Sequence, residues 1–373
     1  MYSKYQQLLD ELSLKSSKRF LPESIPSSMI NLSSNDYLGL MHNSSLKQQF
    51  LKENPIEKIK FSSSSSRILT FNSAPHLRLE KIMANAFNRE ACLVFSSGYH
   101  ANLGILPALT SKKDLIIADK KVHASLIDGI RLSQAEFKRF NHLDYVQLEK
   151  LLIENRERYE QIFIVCESIY SMDGDCSDLQ KLVALKKKYN AYLYVDEAHA
   201  FGVRGQNGLG LCEEQHCIDD IDFIIGTFGK AIASYGAYIV CNDVIKQYLV
   251  NSCRSLIYTT ALPPINVEWT SFIVEQLSGF TELRQQLYHL SKVMADLLQS
   301  ESKTHIIPFI LGPNDIAVKC SQYMRQNGFY VLPIRHPTVS LGTARLRISL
   351  TADISLSKIS EISNCLQAFS KEL

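Results

Sequence analysis

The chain has 373 residues, of which 46% are hydrophobic and 21% charged, values that exclude a disordered, collagen-like or coiled-coil protein. Its 40 Lys and Arg residues nearly balance 38 Asp and Glu residues, and the net charge of +2 excludes a partner held by bulk electrostatics, such as duplex DNA or an anionic membrane. No apolar run approaches the ~20 residues that span a bilayer, and the amino-terminal segment mixes charges too often for a signal peptide.

Nine cysteines are scattered along the chain without a C-x-x-C pair, a pattern typical of reduced thiols in the cytoplasm. Cys212, His216 and Cys217 lie close together, but no second ligand pair follows at the spacing of a zinc site. We therefore expect a cytoplasmic protein without a metal site. At ~150 residues per domain, the length predicts two or three domains.

The pattern of elements alternates between about residues 75 and 260. Apolar side chains at near-helical spacing predict a helix over 76–87, and a second helix over 178–190 has Asp178 as its N-cap. Short apolar or β-branched runs predict strands over 92–95, 115–118, 162–168, 192–199 and 222–230. Apolar strands separated by helices predict an α/β fold with a mostly parallel central sheet and helices on both faces.

The pattern of predicted strands and helices changes after Pro263-Pro264. A long helical region runs to about residue 300, and a second set of strands and helices follows, which predicts a smaller carboxy-terminal α+β domain. We predict an amino-terminal segment over 1–45, a large domain over 46–265 and the smaller domain over 266–373.

Ligands of parallel sheets bind beyond the carboxyl ends of the strands, so polar residues at strand ends are the first candidates for a site. They are Ser97-Gly98, Glu167, Asp196, His199 and Lys230.

The string Asp196-Glu197-Ala198-His199 has three interpretations. A DEAH-box ATPase needs an earlier phosphate loop, but the only Gly-Lys pair, Gly229-Lys230, comes later and lacks the motif's first glycine. A purely structural strand cap is the second interpretation. The third is a pyridoxal phosphate site, in which a carboxylate pairs with the ring nitrogen and a histidine reaches the phenolic oxygen.

Two further features favour the cofactor site. Lys230 follows an apolar strand, and a lysine there can form a Schiff base once burial favours its neutral amine. Ser96–Tyr99 follow a strand and open a predicted helix, whose backbone N–H groups bind anions, although the same string suits an ordinary helix cap. His123 could stack on the pyridine ring or be an ordinary half-buried histidine.

Several longer strings resemble the α-oxoamine synthase family of fold-type I pyridoxal phosphate enzymes, in the family's order. They are NLSSNDYLGL (31–40), FSSGYHAN (95–102), HASL (123–126), ESIYSMDGD (167–175), VDEAHAFGVRG (195–205), TFGKA (227–231), LIYTTALPP (256–264) and RHPTVSLGTARLRISLTA (335–352).

The resemblance implies pyridoxal 5'-phosphate as the cofactor and a role for each matching residue. Lys230 would be the Schiff-base lysine and general base, Asp196 would pair with the ring nitrogen, and His123 would stack on the ring and polarise the thioester carbonyl. The other implied cofactor contacts are His199 at the phenolic oxygen, Ser171 beside the ring, Gly98, Tyr99 and Thr227 towards the phosphate, and Thr259 and Thr260 towards the phosphate of a second subunit.

The resemblance also implies substrate contacts and a homodimer with shared active sites. Arg347 would bind the carboxylate of the amino acid, with Arg345 as the alternative, because a planar guanidinium binds a carboxylate through two bonds. The remaining implied substrate contacts are Asn35 near the substrate, Arg335 and Thr338 along the acyl channel, and Arg19 at the thioester.

The implied activity is a decarboxylative condensation of an amino acid with an acyl thioester. The RHPTV and LIYTTALPP strings favour the member of the family that joins L-alanine to a pimeloyl thioester, on coenzyme A or acyl carrier protein, in biotin synthesis. The alternative is glycine or serine with a different acyl group. An inactive relative would be expected to lack Lys230 or Asp196, and both are present.

Two departures from the family pattern concern loops. Ser62–Ser66 replaces a glycine-rich loop before Arg67, and serine adopts positive φ less readily than glycine. Tyr235 is bulkier than the family's glycine-rich version of the segment after Lys230 and is expected to reshape the acyl channel.

Overall fold

A computed structural model describes residues 2–22, 24–69 and 74–371 of the chain. Within those residues the α-helices are α1 (Ser3–Leu14), α2 (Ser44–Glu53), α3 (Ala74–Ala86), α4 (Gly98–Leu109), α5 (Ala124–Leu132), α6 (Tyr145–Asn155), α7 (Leu179–Lys188), α8 (Leu211–Glu214), α9 (Asp243–Ser252), α10 (Arg254–Ile257), α11 (Pro264–Glu275), α12 (Thr281–Leu298), α13 (Asn314–Gln326) and α14 (Leu356–Lys371). The strands there are β1 (Ile30–Asn31), β2 (Ala91–Phe95), β3 (Leu115–Asp119), β4 (Glu136–Phe140), β5 (Ile162–Glu167), β6 (Tyr192–Asp196), β7 (Phe223–Thr227), β8 (Ala237–Cys241), β9 (Ile306–Gly312), β10 (Phe329–Tyr330), β11 (Pro333–Ile334) and β12 (Ala344–Ser349).

The described residues form two compact units. The larger unit comprises residues 38–170 and 176–284, and the smaller unit comprises residues 2–37, 171–175 and 285–371.

The larger unit contains a seven-stranded sheet in the order β2-β8-β7-β6-β5-β3-β4. The run from β7 to β4 is parallel throughout, whereas β8 lies antiparallel to both of its neighbours. Every residue of β2, β3, β5 and β8 is buried, as expected for apolar strands covered on both faces. The predicted α/β fold with a mostly parallel sheet is therefore confirmed.

Packing of α4 and α5 on this sheet fixes where the strand-end residues lie. Phe95, Ile105, Leu126 and Tyr194 belong to one buried apolar cluster that joins both helices to the strands. The helices α4 and α5 cross so closely that a Cβ at Gly129 would lie 2.2 Å from a backbone oxygen of α4. Side chains from both helices can therefore meet beside the end of β6.

The smaller unit has the α+β character predicted for the carboxy-terminal part. Its main sheet is antiparallel in the order β11-β12-β9, and a short parallel pair joins β1 to β10. All six residues of β12 are buried, and both α13 and α14 contribute buried residues to the unit. This places the two arginines of β12 inside the protein.

The segment 171–175 is held against the rest of the smaller unit by a glycine. Gly174 has a φ of +72°, and a Cβ there would lie 2.0 Å from the backbone oxygen of Ile306. Its own backbone oxygen accepts a hydrogen bond of 2.9 Å from Thr304 Oγ1. Only glycine meets both the conformation and the close approach, which explains the Gly in YSMDGD.

Neither a membrane-spanning helix nor a metal-binding cluster occurs among the described residues. None of the helices there is long and apolar enough to cross a bilayer. Across the same residues, His, Cys, Asp and Glu side chains form no group of three that could hold a metal ion.

Candidate cofactor and substrate site

The carboxylate of Asp196 ends β6 at the edge of the sheet where the sequence predicts a site. Its side chain is 6% exposed and accepts hydrogen bonds from Asn102 Nδ2 (2.8 Å) and from the backbone N–H of Ala198 (2.9 Å). Because both carboxylate oxygens have a donor, the orientation of this buried group is defined.

The structure brings Lys230 and His199 into contact. Lys230 lies three residues beyond the end of β7 and is half-buried, and His199 follows β6. The distance from Lys230 Nζ to His199 Nε2 is 2.8 Å. A lysine amine, a histidine and a strand-end carboxylate thus lie at or just beyond the ends of two adjacent parallel strands.

His123 is the N-cap of α5. Its Nδ1 accepts a hydrogen bond from the backbone N–H of Ser125 (3.2 Å) and lies 2.8 Å from Ser125 Oγ. Burial lowers the pKa of His123, with the charge of Asp196 opposing that effect and the charge of Lys230 adding to it. The imidazole is accordingly neutral at physiological pH, the form that suits stacking on an aromatic ring.

The turn before α4 has the features of an anion-binding corner. Ser97 caps the helix by accepting a hydrogen bond from the backbone N–H of His100, and the helix start at Gly98 has the positive end of the helix dipole. A Cβ at Gly98 would lie 3.8 Å from Thr227 Cβ, so two predicted phosphate residues are neighbours. Tyr99 is exposed, and its hydroxyl donates to the carboxylate of Asp128.

Thr259 and Thr260 lie beside the same turn in their own chain. The backbone oxygen of Thr260 accepts a hydrogen bond of 3.1 Å from Ser96 Oγ, and Thr259 lines a small cavity together with Ser96 and Arg67. The predicted contact with the phosphate of a second subunit stays a prediction.

Glu167, at the end of β5, pairs in register with Asp196 and is a second buried carboxyl group at this edge. Burial raises the pKa of Glu167 well above its ordinary value, and the charge of Asp196 raises it further. Its Oε1 is buried and has no hydrogen-bond partner among the described residues. Burial therefore favours the neutral form of Glu167.

This donor set fits pyridoxal phosphate. It offers an amine for the aldehyde carbon, an anionic carboxylate for the ring nitrogen, a neutral imidazole for the ring face, and a helix start for the phosphate.

Arg347, on β12, is the buried cation of the smaller unit. It is 8% exposed and donates to the backbone oxygen of Ser171, to Asn35 Oδ1 (3.1 Å), to Ser349 Oγ (2.5 Å) and to the hydroxyl of Tyr37 (3.2 Å). These four partners are all uncharged. Burying a guanidinium without an anion costs desolvation free energy. This arrangement is therefore typical of a site that binds an anionic ligand.

Arg345 lies two residues earlier on the same strand but is already neutralised. Its Nη1 is 2.5 Å from Asp173 Oδ1, and the guanidinium also donates to the backbone oxygen of Thr343 (3.0 Å). The structure therefore favours Arg347 over Arg345 as the residue that binds a carboxylate.

Arg19, Arg335 and Thr338 line one groove of the smaller unit, with a volume of about 800 Å³. Arg19 Nη2 donates to Thr338 Oγ1 (2.7 Å), and Arg335 donates to the backbone oxygens of Ser16 (2.6 Å) and Lys18 (3.2 Å). Three predicted substrate residues are thus brought together, although 16 to 19 precede 335 to 338 by more than 300 positions.

The serine run has a defined conformation. Ser63 Oγ donates to the backbone oxygen of Leu262 (2.6 Å), and the backbone oxygen of Ser65 accepts from Ala261 N–H (2.9 Å). Ser64 adopts a φ of +58° without being glycine. The loop thus takes a left-handed conformation at one residue despite its composition. Tyr235, expected to reshape the acyl channel, is 52% exposed.

Asn102, Ser125 and Tyr37 received no individual role from sequence reasoning, although each lies in a quoted string. For Asn102 a signal was present, because it is an amide within the otherwise mainly apolar stretch of α4. Buried polar residues of this kind are usually hydrogen-bonded to something specific.

The family of class I and II aminotransferases matches residues 27–365 of the chain. A protein of Pasteurella multocida (strain Pm70), with the provisional name 8-amino-7-oxononanoate synthase, is 50% identical over 97% of this chain and 98% of its own length. A protein of Glaesserella parasuis serovar 5 (strain SH0165) with the same provisional name is 51% identical over 98% of this chain and its full length.

Solved structures are similar over most or all of the chain. A serine palmitoyltransferase from S. paucimobilis with a bound pyridoxal phosphate–myriocin aldimine has a TM-score of 0.91 and 28% identity, covering 100% of this chain and 98% of its own. An 8-amino-7-oxononanoate synthase from Francisella tularensis has a TM-score of 0.79 and 30% identity, covering 92% of this chain and 98% of its own. These similarities and the donor set agree on a fold-type I transferase that uses pyridoxal phosphate.

Proposed function

Since the chain belongs to the class I and II aminotransferase family and is a pyridoxal phosphate-dependent acyltransferase, we propose that it condenses L-alanine with a pimeloyl thioester. The products are 8-amino-7-oxononanoate, CO₂ and the free thiol. Relatives of about 50% identity carry the matching name, which supports this reaction above others of the same chemistry.

The observation that carries the proposal is the uncompensated guanidinium of Arg347. Its described partners are neutral, whereas the adjacent Arg345 is paired with Asp173. An amino-acid carboxylate supplies the missing charge. Four of the five guanidinium N–H groups have acceptors among the described residues, so the carboxylate takes the remaining Nη2–H group and displaces one neutral acceptor to form its second hydrogen bond. Asn35 and Tyr37 orient the guanidinium for it.

In the larger unit, the proposed chemistry needs a base and a fixed charge. Bound pyridoxal phosphate supplies an electron sink for the pair released when a bond of the amino acid breaks. Lys230 Nζ takes the α-proton as a general base, and His199 Nε2, 2.8 Å away, holds the amine in position. Asp196 would pair with the ring nitrogen, and His123 would stack on the ring and polarise the thioester carbonyl.

The groove lined by Arg19, Arg335 and Thr338 is proposed to bind the acyl thioester. Its volume of about 800 Å³ is in the range of pockets for extended small molecules. Arginines suit the phosphates of coenzyme A and the acidic surface of an acyl carrier protein alike.

We also propose a homodimer. Large apolar side chains are exposed on the larger unit, such as Phe61 (59%), Leu69 (76%) and Tyr258 (71%), and burial against a second copy would remove them from water. Tyr258 directly precedes Thr259 and Thr260, the residues predicted to reach a second subunit. A cytoplasmic location stays a prediction from the cysteine pattern.

The test follows the visible absorbance of the purified protein with pyridoxal phosphate during separate titrations with L-alanine, glycine and L-serine. A selective response to L-alanine, followed by release of 8-amino-7-oxononanoate from pimeloyl-coenzyme A or pimeloyl-acyl carrier protein, is expected. Lys230→Ala should abolish turnover, whereas Lys120→Ala, which changes an exposed lysine after another strand, should not.

Serine palmitoyltransferase activity is the second candidate, because that enzyme has the higher TM-score of the two solved relatives described. A selective response to L-serine with a long-chain thioester would replace the alanine proposal. The absence of any absorbance response, with cofactor added, would contradict both.

A further inference from the structure

Asn102 is a buried amide beside the cofactor residues that the proposed mechanism leaves unused. It lies one turn into α4, is 1% exposed, and comes from the helix whose start forms the anion-binding corner. An amide at this depth requires hydrogen-bond partners, and which partners it has decides its role.

Every hydrogen-bonding group of the Asn102 side chain is used. Nδ2 donates to Asp196 Oδ2 (2.8 Å) and to Ser125 Oγ (3.0 Å), and Oδ1 accepts from the hydroxyl of Tyr194 (2.7 Å). A flipped amide would place its oxygen against the Asp196 carboxylate and its N–H groups against the Tyr194 hydroxyl. The observed orientation is therefore the one that the partners impose.

The same amide reaches His123 through Ser125. Because Ser125 Oγ accepts the N–H of Asn102, its own hydroxyl proton is free to point towards His123 Nδ1, 2.8 Å away. The backbone N–H of Ser125 also donates to that Nδ1. With two donors on Nδ1, the imidazole carries its proton on Nε2.

We propose that Asn102 is a positioning residue that fixes the Asp196 carboxylate against the cofactor ring nitrogen and, through Ser125, holds His123 in its Nε2–H form. The inference rests on the proposed role of Asp196. It adds that one amide on α4 aligns both Asp196 and His123.

The physical reason is the direction of the Asp196 carboxylate. Asp196 pairs in register with Glu167 on the neighbouring strand and acts electrostatically on His123. A charge-assisted bond from Asn102 fixes the direction of the carboxylate, and loss of that bond would let the group turn.

The experiment compares the affinity of the apoprotein for pyridoxal phosphate and for its carba analogue, in which a C–H replaces the ring nitrogen. Dissociation constants are measured by absorbance and fluorescence titration, without turnover. The variant is Asn102→Leu. The matched control is Asn155→Leu, because Asn155 is 0% exposed in α6 and its amide donates to the backbone oxygen of Leu151.

Wild-type protein should bind pyridoxal phosphate more tightly than the carba analogue. In Asn102→Leu this preference should fall by about tenfold or more, because a hydrogen bond to a charged group contributes about 1.5–3 kcal/mol and 1.4 kcal/mol is tenfold. Asn155→Leu should keep the wild-type preference.

The outcomes distinguish the role of Asp196 from the role of Asn102. A wild type without preference overturns the assignment of Asp196 in the proposed function. A wild type with preference that Asn102→Leu retains overturns the role of Asn102 alone. Where circular dichroism shows that the leucine variant does not fold, Asn102→Ala is measured against Asn155→Ala on the same terms.

Discussion

Exchanging Arg347 for lysine tests whether the buried guanidinium binds the amino-acid carboxylate. The substitution keeps the positive charge but replaces a planar fork by a single ammonium group, so one of two parallel bonds to the carboxylate is lost. One charge-assisted hydrogen bond contributes about 1.5–3 kcal/mol, which corresponds to an increase of about 10- to 150-fold in the KM for L-alanine.

The assay varies L-alanine at saturating thioester and follows thiol release, and the absorbance titration gives the amino-acid dissociation constant independently. The KM for the thioester should change by less than about threefold, since Arg347 acts on the other substrate. Arg345→Lys is the matched control: it keeps a charge beside Asp173 and should leave the KM for L-alanine within about twofold. An effect on L-alanine from Arg345→Lys but not from Arg347→Lys would refute the assignment.

Four further predictions concern stability and can be checked by thermal or urea unfolding of the apoprotein. Gly174→Ala should destabilise strongly, because a Cβ would meet a backbone oxygen at 2.0 Å, and an unchanged Tm would contradict this close approach. Ser64→Gly should relieve up to about 1 kcal/mol of left-handed strain, whereas Ser62→Gly should cost entropy and the hydrogen bond that Ser62 Oγ accepts from the Ser64 N–H (3.0 Å), so the second variant must be the less stable. Burial and, to a smaller extent, the charge of Arg67 lower the pKa of His76 to about 4. The free energy of unfolding should therefore decrease by up to about 3 kcal/mol as the pH falls from about 6.5 to 4, and His76→Gln should reduce this pH dependence. Glu167→Gln should stabilise the protein at pH 7, because burial raises the pKa of Glu167 and folding therefore favours its protonated form, whereas an amide needs no proton; a large loss of stability would show an ionised carboxylate.

The strands that carry the cofactor residues could be predicted because they are buried on both faces and read as short apolar runs. The residues at which the strands end were harder to predict, as β6 shows. The sequence predicts a strand over 192–199, but β6 stops at Asp196 because the backbone N–H groups of Ala200 and Phe201 both bond to the oxygen of Glu197 and form a turn. That turn brings His199 back to Lys230.

Two strands of the seven-stranded sheet were not predicted, for different reasons. Only the last residue of β4 is fully buried, as expected for a strand at the sheet edge, so its sequence lacks an apolar run. By contrast β8 is entirely apolar, but it follows β7 after a short loop instead of a helix and runs antiparallel. A prediction based on alternating strands and helices does not include such a strand, because no helix separates it from β7.

The choice between Arg345 and Arg347 shows where sequence reasoning stops. Residues two apart on a strand point to the same face, so spacing cannot separate them. What separates them is Asp173, more than 170 positions earlier, which neutralises one and not the other. Likewise, only the crossing of α4 and α5 shows that Asn102 meets both Asp196 and Ser125.

The pairing of β1 with β10 also affects the order in which the protein is built. Ile30 leaves the ribosome 299 positions before its partner Phe329, a delay of about 15–60 s at 5–20 residues per second. Asn35 is likewise synthesised long before Arg347, its hydrogen-bond partner. The larger unit has all of its residues, through position 284, while the amino-terminal strand still lacks a partner. The proposed amino-acid clamp therefore forms only after position 347 has been synthesised, and a chain that stops between positions 284 and 347 would contain the proposed cofactor residues without it.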